Sequence, residues 1–550
     1  MTMPHAFGLC LQPLKRTRLS LLISLLGSTL AGQAYAFSFD TGDSDFSARW
    51  DNTVKYSNAF RLKKQSGKIT ANPNLDDGDR NFSRGLASNR FDLFSELDIG
   101  TPDHGLRLSG AAWYDSVYNQ KNDNNSPTTS NAVGHSYNEF SDSARTVQGR
   151  DAELLDAFIY NRTTVADMPL SVRLGRHSLV YGESLFFGNN GVAAAQGPYD
   201  FVKLVSVPGT QFKEVLRPTE QASMSLQLRP NLSVGAYYQF LWHPNRYPTP
   251  GSYFSAADSV GPGSESILVS AGPFGDLKVQ DGHDIKAKNS GQGGMQIKWT
   301  PEGSDLEFGF YAARYNEKAP STYIDLPAPL GNGTGLRNVY HEGVRLFGMS
   351  LSTAVNESLS LAGEISVRRN TSLNSNPVAD NGLGDNDHNI LYAVGNSAHA
   401  QISGIYSLSP GKLWDGGSMQ FEVAAHRLTS ITKNKEALDP GATRDASSMR
   451  MVFEPTYFQV LDGLDITVPI GLGYGLSGHS PLFSGGWNNR DVGDLSLGVN
   501  GTYRQVWKLG ASYTHYLGEG NGVATAQGLQ TYDQAFKDRD FLSFNISRTF

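Results

Sequence analysis

Cysteine is nearly absent from this chain of 550 residues, since the single one, Cys10, lies within the first 36. The remainder therefore contains no disulfide and no thiol chemistry. Positive charge is also scarce, because 46 Lys and Arg stand against 53 Asp and Glu. Without the three basic residues of the N-terminal segment, the balance becomes 43 − 53 = −10. Nucleic-acid binding needs a basic surface, so nucleic acid is not an expected partner.

Long apolar runs are missing after residue 36, and the mean hydropathy is −0.35. No segment there predicts a membrane-spanning helix, and almost none has the 3.6-residue period of an amphipathic helix. Glycine is frequent at 59 residues, and aromatic residues reach 11 %. What recurs along the chain is alternation with a period of two, which is typical of strands with one apolar and one polar face.

The N-terminal segment has the three parts of a secretory signal peptide. Its basic part contains Lys15, Arg16 and Arg18, its apolar part is 19–30, and small residues stand at 34 and 36. We expect cleavage between Ala36 and Phe37 and export through the Sec route. Residues 1–36 would be removed, and residues 37–550 would form a single domain.

Alternation is clearest in the segment 46–56. Its two faces are Phe46, Ala48, Trp50, Val54 and Tyr56 on one side and Ser47, Arg49, Asp51, Thr53 and Lys55 on the other. Eighteen segments of this kind are long enough to cross a bilayer as tilted strands. They are 46–60, 90–99, 105–118, 151–160, 170–177, 221–229, 231–242, 291–300, 304–315, 343–354, 357–369, 398–408, 418–428, 448–460, 464–474, 493–503, 506–516 and 541–550.

The connections between these segments alternate in length. Very short ones, such as 461–463, are separated by connections of about 20–50 residues, as in barrels with short periplasmic turns and long extracellular loops. The chain ends on an alternating strand whose last residue is Phe550, which is typical of the signal read by the barrel assembly machinery. The sequence therefore predicts an all-β, transmembrane antiparallel barrel of about 18 strands in the bacterial outer membrane, in contact with lipid and lipopolysaccharide.

Eighteen strands enclose a lumen too wide for side chains alone to fill. The segment 178–220 alternates poorly and is rich in glycine, alanine and proline, so we predict that it folds inward as a lumen constriction or plug. The alternative is a surface loop that packs on its neighbours. The residues predicted at the constriction are Arg173, Arg176, Glu183, Asn190, Asp200 and Lys203.

Charged residues share the polar face of the first strands. The predicted lumen charges are Arg49, Lys55, Asp92, Glu96 and Arg107. Charges of both signs in a pore wall tune ion selectivity. They also pair across neighbouring strands and stiffen the wall, and the two roles can coexist.

Several stretches resemble a known family. They are Phe37–Gly42, Arg49–Tyr56, Asp76–Phe82, Arg173–His177 and Tyr181–Ser184. On these motifs the chain resembles the proteobacterial outer-membrane family of unknown function 1302 (DUF1302). The resemblance implies an outer-membrane protein, often encoded beside genes for the metabolism of hydrophobic compounds. It implies no established substrate and no catalytic residue.

Other site signals are weak. Asp76, Asp77 and Asp79 could bind a divalent ion, but they lack the spacing of a calcium loop, so we favour a solvated acidic loop and predict no metal site. No G-x-S-x-G motif or metal-ligand spacing is present, and no cofactor is expected. The favoured function is a channel or uptake protein for small hydrophobic or amphipathic molecules. A surface interaction protein is the alternative, and a barrel-embedded hydrolase is a remote one.

Overall fold

The computed structural model describes residues 37–39, 45–206, 215–259, 261, 263–270, 272, 275–482 and 485–550. Eighteen antiparallel wall strands, β1 to β18, pair in chain order, and β18 pairs with β1 to close a barrel. They are Ser47–Arg61, Gly85–Gly100, His104–Asp115, Arg150–Val165, Met168–His177, Thr219–Arg229, Leu232–Gln239, Gln292–Trp299, Glu307–Tyr315, Val344–Asn356, Leu359–Ser372, Val394–Ser407, Gly416–Lys433, Asp445–Leu461, Leu464–Thr467 with Ile470–Ser477 (together β15), Gly493–Tyr503, Trp507–Leu517 and Phe541–Thr549. The predicted fold is confirmed. No helix in the described part of the chain is long and apolar enough to cross a membrane.

The wall is polar inside and apolar outside. On β11, the outward-facing Ile365 and Val367 are 54 % and 45 % exposed, whereas Glu364, Ser366 and Arg368 on the inward face are buried. A soluble barrel would bury its apolar face and expose its polar one. Pairing between neighbours satisfies the backbone of every strand, which is the condition for strands in lipid.

Connections between strands divide into two classes. One end of the barrel has short turns of two to eight residues, and the other has nine long loops. The long loops L1 to L9 are 62–84, 116–149, 178–218, 240–291, 316–343, 373–393, 434–444, 478–492 and 518–540. L7 and L8 are shorter than the predicted 20–50 residues, because paired strand residues continue beyond the predicted segments.

Short elements lie within the long loops and at the N-terminus. The helical ones are Ile69–Ala71, Asp77–Arg80, Asp142–Ala144, Arg145–Gly149, Val192–Ala195, Phe201–Ser206 and Lys435–Ala437. Two hairpins, Ser266–Ser270 with Asp276–Gln280 and Ser321–Asp325 with Gly335–Val339, stand in L4 and L5, and Val378–Ala379 of L6 joins the second.

Strand β15 differs from its predicted form, because Val468 and Pro469 interrupt it between the two segments. A proline has no N–H to donate to the ladder. The carbonyl of Pro469 still accepts the N–H of Gly498 at 2.8 Å, so the neighbouring strand stays attached across the break.

The first and last wall strands meet at the seam of the barrel. Backbone N–H and C=O of Phe550 bond to Asn52 of β1 at 2.8 and 3.0 Å. The short strand Phe37–Phe39 pairs with residues 48–50 of the same strand, just beyond this point. Ala36 lies outside the described residues, so the cleavage of the signal peptide stays a prediction.

Candidate functional site

Loop L3 turns into the barrel. Tyr181 packs on Tyr237 of β7 and Tyr311 of β9, with ring centroids 5.5 and 6.4 Å apart. The turn Val192–Ala195 is buried and packs in part on Leu346 of β10. The predicted inward fold of this loop is therefore confirmed, and the alternative of a loop confined to the surface is wrong.

Two wall carboxylates bind the backbone of L3. Glu364 of β11 and Glu422 of β13 are 3 % and 0 % exposed. Their donors, at 2.5 to 2.9 Å, are the backbone N–H groups of Glu183, Val192, Phe186 and Phe187 and the hydroxyl of Ser184. Glu364 lies so close to Gly182 and Gly191 that a side chain at either glycine would meet its carboxylate. The loop is thus fixed to the wall by charge-assisted hydrogen bonds, which are stronger than neutral ones.

Asn190 lies at the centre of a second set of contacts. Its Oδ1 receives Nδ1 of His399 at 3.0 Å and Nδ1 of His426 at 3.1 Å. Its Nδ2 donates to Gln401, which fixes the orientation of the amide. Because Oδ1 can only accept, both imidazoles donate through Nδ1, and each Nε2 can accept a proton from a hydroxyl. The hydroxyl oxygens of Ser397 and Ser480 lie 2.8 and 2.9 Å from these Nε2 atoms.

Ser480, His426 and Asn190 lie in a row of contacts and have the residue types of a hydrolase triad. The sequence did not reveal that these three residues come together. Ser480 is nevertheless only 5 % exposed. Its hydroxyl also accepts the N–H of Leu482 at 3.1 Å and lies 2.8 Å from the carbonyl oxygen of the same residue. A nucleophile must reach a substrate carbonyl, so this arrangement favours a structural contact between L3, L8 and the wall.

An aromatic cavity opens between L3 and L8. The rings that line it are Phe186, Phe187, Tyr199, Phe201 and Trp487. Phe201 stacks on Tyr247 of L4, with centroids 5.0 Å apart and planes inclined by 14°. Phe187 meets Trp487 edge-on at 5.5 Å. The walls are apolar, but the space between them, about 10 Å³, holds about one water molecule, so an apolar ligand would enter only after L3 or L8 moves.

A polar cavity adjoins the aromatic one and shares Asn189 and Tyr199 with it. Lys318 of L5 is buried there, and its Nζ has no hydrogen-bond partner; the ring of Tyr315 lies 5.1 Å away. Burial lowers the pKa of Lys318 to about 8. Arg368 of β11 reaches the same cavity and donates to the carbonyls of Asn189 and Gly191 at 2.7 and 3.0 Å. The two cavities together place an apolar wall beside two cations, Lys318 and Arg368, and one carboxylate, Glu317.

Four of the six residues predicted at the constriction lie in L3. Glu183 pairs with Lys298 of β8 at 3.1 Å, and Asn190 makes the contacts described above. Asp200 pairs with Arg246 of L4 at 3.2 Å and accepts the N–H of Lys203 at 3.0 Å. These residues therefore make contacts between L3 and the wall, between L3 and L4, or between two residues of L3.

The remaining two lie on β5 and face in opposite directions. Arg173 shares the inward face of the strand and lies 5.7 Å from the ring of Phe158. Arg176 lies on the outward face of the strand, as Leu174 does. It pairs with Glu220 at 2.7 Å, and Glu220 also contacts His243. The structure does not bring Arg176 together with the other five residues, because strand alternation places it outside the lumen.

The predicted lumen charges pair across neighbouring strands. Arg107 lies 2.6 Å from Glu96, and Lys55 stands opposite Asp92 in the register of β1 and β2. Arg49 pairs with its neighbour on the same face, Asp51, at 2.7 Å. The side chain of Arg107 remains 35 % exposed, in contrast to the buried charges beneath L3. The side chain of Arg49 is more exposed still, at 67 %.

The match to a family model covers residues 17–550 and carries the description "Protein of unknown function (DUF1302)". The chain belongs to the DUF1302 family. The family resemblance seen in the sequence is confirmed. No curated protein matches the chain significantly.

Solved structures of outer-membrane channels align with this chain at low sequence identity. OccAB1 of Acinetobacter baumannii is 11 % identical, with a TM-score of 0.41 over 94 % of this chain and 98 % of that one. The channel DcaP of the same organism is 8 % identical, with a TM-score of 0.37 over 94 % and 100 %. OpdK of Pseudomonas aeruginosa, solved with vanillate, is 10 % identical, with a TM-score of 0.38 over 92 % and 98 %. Similarity at this level carries no argument about function.

Proposed function

We propose that this DUF1302 protein is an outer-membrane channel or uptake protein for small hydrophobic or amphipathic molecules, with L3 as its constriction or plug. The observation that carries the proposal is the docking of L3 inside the barrel by Glu364 and Glu422. A loop held in the lumen through a few wall groups restricts passage and can be released without unfolding the wall.

The paired cavities support the choice of permeant. An apolar molecule cannot cross the polar saccharide layer of an outer leaflet easily, so a protein route is useful to the cell. When L3 moves, the aromatic residues offer an apolar surface, and Lys318, Arg368 and Glu317 offer groups for a polar end. These features favour amphipathic molecules over inorganic ions as the transported class.

Conductance in a planar lipid bilayer tests the proposal. We expect little current from the refolded wild type and steady current from a variant in which residues 188–206 are replaced by a short Gly-Ser linker. A steady current through the wild type would contradict the role of L3 as a plug but would be consistent with a channel. Silence from both, with the folded barrel verified by its heat-modifiable electrophoretic mobility, would contradict the channel itself.

A surface interaction protein is the second candidate. The observation in its favour is that the long loops carry their own hairpins, in L4 and L5, at one end of the barrel. Silent barrels in the conductance experiment would shift the proposal to this function.

Assembly in the outer membrane is expected to depend on Phe550. Because its contacts with Asn52 are backbone ones, Phe550→Ala preserves them and removes only the ring. We expect less heat-modifiable barrel in outer-membrane fractions, yet wild-type yield when the purified chain refolds into lipid vesicles. The control is Phe544→Ala, since Phe544 is an exposed phenylalanine of the same strand. Equal loss in both variants would contradict a terminal assembly signal.

A further inference from the structure

Three long loops meet at one buried point above the barrel. Asp77 comes from the short helix of L1, Asn131 from L2 and Asp258 from L4. Oδ2 of Asp77 accepts the N–H of Asn131 at 3.0 Å, and the N–H of Asp77 points to Oδ2 of Asp258 at 3.3 Å. The sequence predicted a solvated acidic loop here. That prediction is wrong, because Asp76 and Asp79 are fully buried and Asp77 is 9 % exposed.

The neighbouring acids have basic partners. Asp76 pairs with Arg80, and Asp79 pairs with Arg61 at 2.6 Å and with Arg539 at 3.3 Å. Arg80 and Arg61 are near these acids in the chain, but Arg539 comes from L9, which explains why the local sequence did not reveal the whole set.

Asp77 and Asp258 have no such compensation. Neither forms an ion pair with any cation in the described ranges, and the donors that reach them are neutral, as is the amide of Asn124 at 3.2 Å. Lys278 and Arg539 attract Asp77 and Asp258 without forming an ion pair, so the two buried carboxyl groups lack a counter-ion at contact distance.

Two buried oxygens also lack donors. Oδ1 of Asp258 and Oδ1 of Asn131 have no hydrogen-bond partner, although their residues are 1 % and 3 % exposed. The amide of Asn131 cannot be reversed, since its Nδ2 donates to Asn74 at 2.9 Å and to the carbonyl of Ser266 at 2.7 Å. Buried acceptors without donors call for an explanation, and a bound ion is one of the few available.

A small cavity lies between these groups. Asp77, Asn131 and Asp258 all line it, together with Tyr137, and it encloses about 30 Å³ of space that the centre of a water molecule can reach. That space holds one ion with part of its hydration shell. Oxygen ligands of mixed type in an irregular loop arrangement match the preference of calcium, which accepts flexible geometry and bound water.

We propose that Asp77, Asn131 and Asp258 bind a calcium ion that joins L1, L2 and L4. The described residues contain no group of three or more His, Cys, Asp or Glu side chains placed for a metal. The site therefore consists of two carboxylates and one amide oxygen, with water completing the shell. This inference stands apart from the channel proposal, because the ion fixes the loops above the barrel and not L3 inside it.

Terbium luminescence and thermal unfolding test the site on the full mature barrel, refolded in detergent free of lipopolysaccharide and dialysed against a chelator. Terbium replaces calcium, and Tyr137 at the cavity sensitises its emission. We expect saturable terbium emission that calcium displaces, and a Tm that rises by several degrees with calcium. Ligands that bind only the folded state stabilise it in this concentration-dependent way.

Two conservative variants locate the effect. Asp258→Asn and Asp77→Asn keep the size of each side chain and remove one of two like charges. We expect both to lose terbium emission and the calcium-dependent rise in Tm, with a metal-free Tm equal to or above that of the wild type. The control Asp276→Asn changes an exposed carboxylate of the same loop and should retain both responses.

Three results would overturn the proposal. One is a wild type with no response to calcium, whose metal-free Tm rises instead as the pH falls, because the pair then holds a proton. Another is a calcium response that persists in both variants, which would place the ion elsewhere. The third is equal binding by magnesium and calcium with no gain in stability, which is the behaviour of surface carboxylates.

Discussion

Replacing Glu364 and Glu422 together by alanine is expected to release L3 and raise the conductance of the barrel several-fold. The two carboxylates accept four backbone N–H groups and one hydroxyl of the loop. A buried donor left without an acceptor costs about 1–3 kcal/mol. With five donors affected, the docked state of L3 is therefore destabilised by several kcal/mol relative to a state in which the loop is released into water. The wall strands keep their ladders, because neither side chain takes part in the pairing.

Single-channel recording of the double variant measures this effect. Limited proteolysis should show new cleavage within 183–196, which is buried in the wild type. The matched control is Glu454→Ala, since Glu454 belongs to the neighbouring strand β14 and makes no hydrogen bond to L3 within the described residues. Unchanged conductance together with an uncleaved loop would contradict the role assigned to the two carboxylates.

The barrel was predictable because its physics is local. A wall strand that faces lipid on one side and water on the other must alternate apolar and polar residues, so each strand can be recognised from its own sequence. Even the buried polar row of β12, which is Ser397, His399, Gln401 and Ser403, follows the same period of two. The interruption at Pro469 was missed, because a short apolar stretch looks continuous until the missing N–H is considered.

The site was predictable only in part, because its contacts join distant residues. Alternation identifies the face on which Glu422 lies, but its partner Phe187 is 235 residues away. The unusual composition of 178–220 indicated an inward loop without indicating what holds it. The acids of L1 were misjudged for the same reason, since Arg539 is 460 residues from Asp79.

Substitution of Asp79 by asparagine is expected to be the most destabilising conservative change in the loops above the barrel. Arg61, Arg539 and Asp79 have fully buried side chains, and the carboxylate of Asp79 contacts both guanidinium groups, whereas Asp538 contacts only that of Arg61, at 3.3 Å. Removing its charge leaves two buried cations without their shared partner. Breaking a buried pair from one side costs about 3–5 kcal/mol, far more than the pair contributes relative to an apolar replacement.

Urea unfolding in the presence of a chelator measures the loss, so that no bound ion contributes. The control is Lys68→Ala. Lys68 also joins L1 to L9, through an ion pair with Glu519, but the two side chains are 68 % and 72 % exposed, respectively. An exposed pair of this kind contributes at most about 1 kcal/mol. Equal small losses in the two variants would mean that Asp538 and the backbone carbonyls around the two arginines compensate for the loss of Asp79. A large loss in Asp79→Asn alone would identify the buried triad as the contact that ties L1 to the last loop of the chain.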